Sequence, residues 1–182
     1  MARVDPRSRV ARVPSLTLRP VVPSDALLLR AATVINVNWS GERLTCRDVD
    51  ESPHLRHYTE FHVERGDFGW VAQVAARPVG VAWCLQLPAE DPGFGFVADG
   101  VPELSVCVLS GYRGLGVGSG LIRAALEDAG RRGLARVSLS VEQDNPAVRL
   151  YLRCGFVPHE SAAEGTMVVA LPAPLDTGSP GG

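Results

Sequence analysis

From Arg113 to Ser119 the chain reads RGLGVGS, and an apolar run, ELSVCVL, leads into it from Glu103. Glycines at Gly114, Gly116 and Gly118 let successive backbone N–H groups face one concavity with no Cβ in the way. A helix starting behind such a turn adds a dipole that favours an anion. The Arg113 guanidinium adds charge and a forked set of donors. Three uses fit this composition: a tight strand-to-helix connection that binds nothing, a dinucleotide turn, or a cradle for the pyrophosphate of coenzyme A. For the dinucleotide use, Glu142 stands roughly 20 residues on, at a strand end, where a ribose-binding acid belongs. The glycine register departs from G-x-G-x-x-G, however. Ser119 and Leu121 hold the third-glycine places counted from Gly114 and Gly116.

Other chemistry is narrowed by composition. All 18 basic residues are arginine, and the absence of lysine removes a Walker P-loop and any Schiff-base mechanism. Such an arginine-, alanine- and glycine-rich usage fits a GC-rich bacterial genome. The formal charge of −2 gives no reason to expect a nucleic-acid partner. No apolar run reaches the roughly 18 residues of a membrane span, and the N-terminus shows no secretory h-region. Cys46, Cys84, Cys107 and Cys154 form no C-x-x-C pair and read as reduced thiols, which sets a cytoplasmic expectation. His54 and His57 share a helical face, but no further ligands can be placed beside them, so no metal is expected.

The elements that must position these groups follow from periodicity. LTLRP at 16–20 reads as a strand, and Pro23-Ser24-Asp25 starts a helix toward Val37. A second helix is expected from Ser52 as cap and Pro53 at the first position, closing at Gly66, with Leu55, Tyr58 and Phe61 on one face. Runs 69–75 and 79–87 form an antiparallel hairpin around Arg77-Pro78. Residues 88–102 are a long Gly-, Pro- and acid-rich loop, of a length that often carries function. Strand 103–109 enters the glycine turn. Helix 117–130 follows, with Val117, Leu121, Ala125 and Ala129 as its stripe and Gly133 beyond its end. Strand 135–141, a short helix capped by Asn145 before Pro146 and ended by Gly155, and strands near 156–158 and 166–171 complete a mixed α/β domain around one sheet. On the short helix, Val148 and Leu152 are expected to face the core. Residues 1–14 and 172–182 read as flexible ends around a 15–171 domain.

A second motif, QDNPAVRLYLRCGF at 143–156, follows the glycine turn at a suitable distance. Together with Arg113-x-x-Gly116-x-Gly118 it resembles the GNAT superfamily of N-acetyltransferases, and the resemblance runs from about 16 to 171. It implies a single-domain GNAT fold: a mostly antiparallel mixed sheet with a splayed central strand pair, flanked by helices. It also implies acetyl-CoA as cosubstrate and direct acetyl transfer to a primary amine, with a small molecule expected ahead of a protein N-terminus. The non-enzymatic rival is a silent acetyl-CoA-binding module, and the rival from another class is a nicotinamide-dependent oxidoreductase. A homodimer is a family habit.

Residue by residue, the resemblance implies that backbone amides from Arg113, Gly114, Leu115, Gly116, Val117 and Gly118, with Ser119, hold the pyrophosphate. Amides of Cys107, Val108 and Leu109 become candidates for polarising the acetyl carbonyl. Asn145 takes the pantetheine arm, alongside its role as helix cap. Tyr151 is the implied general acid for the leaving thiolate, and Glu103 the implied general base, with Asp99 and Glu90 as rivals. Cys107 lies on the same strand face as Glu103 and raises a covalent route that the family rarely takes. Phe94-Gly95-Phe96, Trp39, Tyr58 and Phe61 are candidates for the acceptor pocket.

Overall fold

The computed structural model describes residues 15–160 and 162–172. The ends expected to be flexible, apart from Pro172, lie outside the described residues. Seven strands form one sheet: β1 Leu16–Pro20, β2 Phe68–Val74, β3 Arg77–Leu85, β4 Glu103–Val108, β5 Arg136–Ser140, β6 Val157–Pro158 and β7 Thr166–Ala170. Their order across the sheet is β1-β2-β3-β4-β5-β7-β6. Every neighbouring pair is antiparallel except the central one, β4 with β5. Among the described residues five α-helices accompany them: α1 Ala26–Val37, α2 Cys46–Glu51, α3 Pro53–Arg56, α4 Val117–Arg131 and α5 Val148–Arg153.

Period-two alternation divides the sheet between two cores. On β3, Ala82 and Cys84 join the cluster with α4, while Val81, Trp83 and Leu85 join the cluster with α1. Helix α4 buries all four residues of its expected stripe, Val117, Leu121, Ala125 and Ala129. Leu121 is fully buried, which contributes about 1.5–3 kcal/mol.

The region between α1 and β2 differs from expectation. One helix over 52–66 is replaced by α2, α3 and two 3-10 turns, His57–Thr59 and Val63–Arg65. Helix α2 has a readable start that the apolar pattern hid: Thr45 caps Asp48 and Asp48 returns the bond to Thr45. Gly66 still closes a turn at φ 95°, but of the second 3-10 segment. The 3-10 winding also separates the two histidines, leaving His54 exposed and His57 buried.

The β2–β3 hairpin turns at Ala75-Ala76, with Val74 opposite Arg77, so Arg77 and Pro78 belong to β3. Both alanines have positive φ, 49° and 61°, as a two-residue type I′ turn demands. Pro78 pairs with Gln73 beside a register shift, where a missing N–H is tolerated. On α5 the expected face is corrected at Leu152, while Val148 packs against the α4-side core as expected. Leu152 is 51% exposed and Tyr151 is buried, because the helix is one short segment that docks by Tyr151 against Phe156.

Candidate active site

The central parallel pair barely exists as a ladder. β3 and β4 share six register pairs, but β4 and β5 share one, Glu103 with Ser138. At that junction the Ser138 amide donates to the Pro102 carbonyl at 3.0 Å. Past it the two strands diverge toward their C-terminal ends, opening a V with Glu103 at its apex.

Hydrogen-bond alternation decides which β4 amides face the opening. The Leu109 amide donates to the Val79 carbonyl at 3.0 Å. In an antiparallel ladder the same orientation repeats every second residue. Cys107 and Leu109 therefore direct their amides at β3, and neither is a donor into the V, which corrects both expectations. Val106 and Val108 direct theirs into it. Sequence alone could not choose between the two sets, since the choice depends on which neighbour β4 pairs with.

At the mouth of the V lies the glycine turn. Gly114 and Gly116 have φ of 76° and 81°, which L side chains adopt only at a cost. Gly116 caps α4 from the left-handed region, and no side chain caps it. The first amides of α4, at Val117, Gly118 and Ser119, have no partner within the helix. Among the described residues, those of Gly114, Leu115 and Gly116 meet no loop or cap acceptor either, whereas the Arg113 amide donates to the Ser110 carbonyl at 3.3 Å and so leaves the expected set. Gly118 has a further packing role. A Cβ there would come 3.1 Å from Leu150 and 3.6 Å from Val108, so glycine lets α4, α5 and β4 converge. Arg113 folds back over the opening and its Nε donates to the Val108 carbonyl at 3.0 Å. Beside Ser119 a groove of about 770 Å³ runs along α4, edged by Arg123 and Arg153.

Glu103 is 4% exposed. Its Oε1 accepts the Tyr58 hydroxyl at 2.7 Å, while Oε2 is buried with no donor among the described residues. Burial lifts its carboxyl to about 7, against the opposing pull of the Tyr58 hydroxyl and of the Gly95 backbone amide. Such a group is half ionised near neutral pH, which suits a base. The rivals are placed differently. Glu90 and Asp99 are exposed, and Asp99 holds the Ala89 amide within its own loop at 3.1 Å.

Tyr151 is buried in the α4-side core, edge-on to Phe156 at 6.0 Å. Burial, with Cys107 and Cys154 nearby, raises its phenol to about 12, so it keeps its proton at working pH. Burial also lifts the Cys107 thiol to about 11, which leaves too little thiolate for a nucleophile at neutral pH. The Asn145 side-chain Oδ1 accepts the Ala147 amide at 2.9 Å in a turn ahead of α5, which starts at Val148 after Ala147 with no side-chain cap, so the expected capping role is corrected.

Of the aromatic candidates, Tyr58 and Phe61 lie in the α1-side core and Phe94 is exposed, stacked on Tyr58 at 6.0 Å. The pairing of Tyr58 with Glu103 spans 45 residues, and no local pattern announces it. The same is true of His57 with Asp91, 3.2 Å apart. Glu142 is exposed and faces Arg43 at 3.6 Å. With a single parallel pair in the sheet, a doubly wound dinucleotide fold is ruled out. Among the described residues no three His, Cys, Asp or Glu side chains group as metal ligands, and no helix is long and apolar enough to cross a membrane.

The acetyltransferase (GNAT) family model matches residues 35–156, more than half of the chain. A mycothiol acetyltransferase of Corynebacterium glutamicum strain R is 34% identical over 130 residues, which is 63% of this chain. The chain spans only 44% of that relative's length. A GNAT-family acetyltransferase from Staphylococcus aureus Mu50 has the same fold, with a TM-score of 0.65 at 15% identity, covering 87% of this chain and all of the other. A GNAT-family acetyltransferase from Brucella melitensis, solved in complex with acetyl-CoA, superposes with a TM-score of 0.58 at 20% identity, covering 88% and 91%.

Proposed function

The chain belongs to the GNAT acetyltransferase family, and from that premise we propose that it transfers the acetyl group of acetyl-CoA directly to the primary amine of a small molecule. The observation that carries this reading is the V itself: a buried carboxylate at its apex, two unpaired strand amides on one wall and a phosphate-type cradle at its mouth. The relative crystallised with acetyl-CoA supports the choice of cosubstrate.

In this reading the pyrophosphate meets the free amides from Gly114 to Ser119, with Arg113 beside them. The groove along α4 takes the rest of the nucleotide, where Arg123 and Arg153 suit a phosphate. The pantetheine arm lies against β4, past Asn145. The Val108 and Val106 amides hydrogen-bond the thioester oxygen and gain strength as negative charge grows there. An amine attacks only when neutral. Glu103 takes its proton at Oε2, directly or through a water, as the C–N bond forms. When the C–S bond breaks, Tyr151 returns a proton to the departing sulfur. The products are an amide and the free thiol.

The test is release of coenzyme A thiol from acetyl-CoA across a panel of small amines and short peptides. Turnover on small amines, lost in Glu103→Gln chiefly at low pH and partly regained at high pH where the amine deprotonates unaided, supports the reading. Turnover confined to peptide N-termini would replace the acceptor class. Parallel pH profiles for both forms would send the search for a base to Asp99 and Glu90.

A further inference from the structure

The 3-10 turn His57–Thr59 grips the 88–102 loop at two successive residues. The buried His57 ring places Nδ1 3.2 Å from Asp91 Oδ1. The next residue, Tyr58, accepts the Phe94 amide on its hydroxyl at 2.7 Å and donates that hydroxyl to Glu103 Oε1 at 2.7 Å. The Phe94 ring lies over the Tyr58 ring, nearly parallel at 11°. Tyr58 itself is anchored from below, because the Trp83 indole donates to its carbonyl at 3.0 Å.

The loop also reaches the other carboxylate oxygen. A Cβ on Gly93 would sit 2.0 Å from Glu103 Oε2 and 2.7 Å from the Tyr58 oxygen. Gly95 continues across the sheet onto β5, where a Cβ would come 2.5 Å from the Leu139 carbonyl carbon. Only glycine at both places lets the loop lie flat over the apex of the V. Both carboxylate oxygens are thus in contact with the loop, one through Tyr58 and one under Gly93.

We propose that Tyr58 is a positioning residue that couples the 88–102 loop to Glu103, so that seating Gly93 and Phe94 sets the proton affinity of the carboxylate the acceptor meets. Two opposed effects meet at this carboxylate. The Tyr58 hydroxyl stabilises the ionised form. The Gly93–Gly95 cover removes water, which stabilises the protonated form by more than the Gly95 backbone amide favours the ionised one. The other groups around it are few. Leu85 on β3 and Ser138 on β5 face Glu103 across the sheet and do not titrate at working pH. Cys107 lies two pairs along the same face of β4. His57 and Asp91 stand behind Tyr58, with the His57 ring edge-on to it at 4.5 Å. An acceptor that lifts the loop therefore meets a carboxylate with a weaker hold on its proton than one entering beneath it.

The coupling needs Glu103 as the base only for its effect on rate, so titration is read separately from turnover. The probe is the full chain labelled with carboxyl-¹³C glutamate, in which the Glu103 resonance is the one missing from Glu103→Gln. In Tyr58→Phe, where the His57–Asp91 contact and the ring of Phe94 over residue 58 still seat the loop, the midpoint should rise by about one pH unit, the worth of one hydrogen bond to a charged group. In Gly93→Ala, whose added methyl cannot coexist with the seated loop, it should fall toward the ordinary carboxylate range. Asp91→Asn, at an exposed position, loosens the same loop and should lower the midpoint by less, which keeps the test standing if Gly93→Ala does not fold. Midpoints equal to wild type in all three variants overturn the proposal, and so does a fall in Tyr58→Phe. If the titrations move as expected while the acid limb of the pH–rate profile stays fixed, the coupling holds and Glu103 is not the base.

Discussion

Glu103 carries a thermodynamic cost that follows from its place. Its carboxyl is raised to about 7 in the fold, above its ordinary value near 4.5, because burial penalises the charge. The folded state therefore binds the proton more tightly than the unfolded chain. The associated stability is fully present below the ordinary value and is lost as pH rises through about 7. The shift corresponds to about 3 kcal/mol. Urea unfolding of wild type and Glu103→Gln near pH 5 and pH 8 measures it. The wild type should lose more stability across that interval than the variant does, and equal losses would contradict the burial argument. Tyr151 poses the complementary case, since its phenol keeps the proton it is proposed to donate. Tyr151→Phe keeps the ring against Phe156, so acetyl-CoA affinity should hold while turnover falls by roughly 100- to 10,000-fold. A loss of only a few-fold, with affinity unchanged, would reduce Tyr151 to packing.

At the scale of elements, the glycine turn and the hairpin turn both depend on left-handed backbone, for different ends. Gly116 combines φ 81° with a free amide at the start of α4. Gly116→Glu adds a backbone cost of about 1–2 kcal/mol and puts a negative charge where the pyrophosphate is proposed to sit. Gly116→Ala carries the backbone cost without the charge. Calorimetry should show acetyl-CoA binding nearly abolished by Glu and weakened far less by Ala, and equal weakening by both would remove the electrostatic argument. The β2–β3 turn shows what happens without glycine. Ala75 and Ala76 both sit at positive φ, a conformation that Asn-Gly adopts more readily. Changing the pair to Asn-Gly should raise stability by about 1 kcal/mol or more, read as an increase in the thermal midpoint with unchanged turnover.

For the whole molecule, the α4-side core spans the sheet from β2 to β7 while the V parts the strands at the centre. β4 is clamped to β3 and β5 to β7, but the two pairs meet at one register position. A cosubstrate lying in the V would contact both halves and the N-terminus of α4. It should therefore stabilise the fold as a unit. At 100 times its dissociation constant a ligand adds about 2.7 kcal/mol. Acetyl-CoA should raise the thermal midpoint by several degrees and NADP should leave it unchanged. A rise with NADP alone would overturn the proposed cosubstrate.

Short-range patterning in the sequence determined much of this molecule. The order of strands and long helices, the buried stripe of α4, and the glycine turn leading into it all follow from periodicity and local stereochemistry, which act between residues a few positions apart. The capping box at Thr45 and Asp48 was equally local, but it lay outside the apolar pattern. Tertiary structure decided the rest. Which β4 amides face the V depends on β4 pairing with β3 along its length and with β5 at one point, a fact that no residue in β4 encodes alone. In place of a helix over 52–66 stand short turns, from which Tyr58 reaches the sheet, where Trp83 and Glu103 hold it. The proton affinity of Glu103 is set by burial beneath residues 93–95 and by a hydroxyl 45 positions away. Desolvation and such long-range hydrogen bonds exist only once the chain has closed on itself, so the sequence shows a glutamate at the head of a strand and the fold makes it a group that titrates near 7.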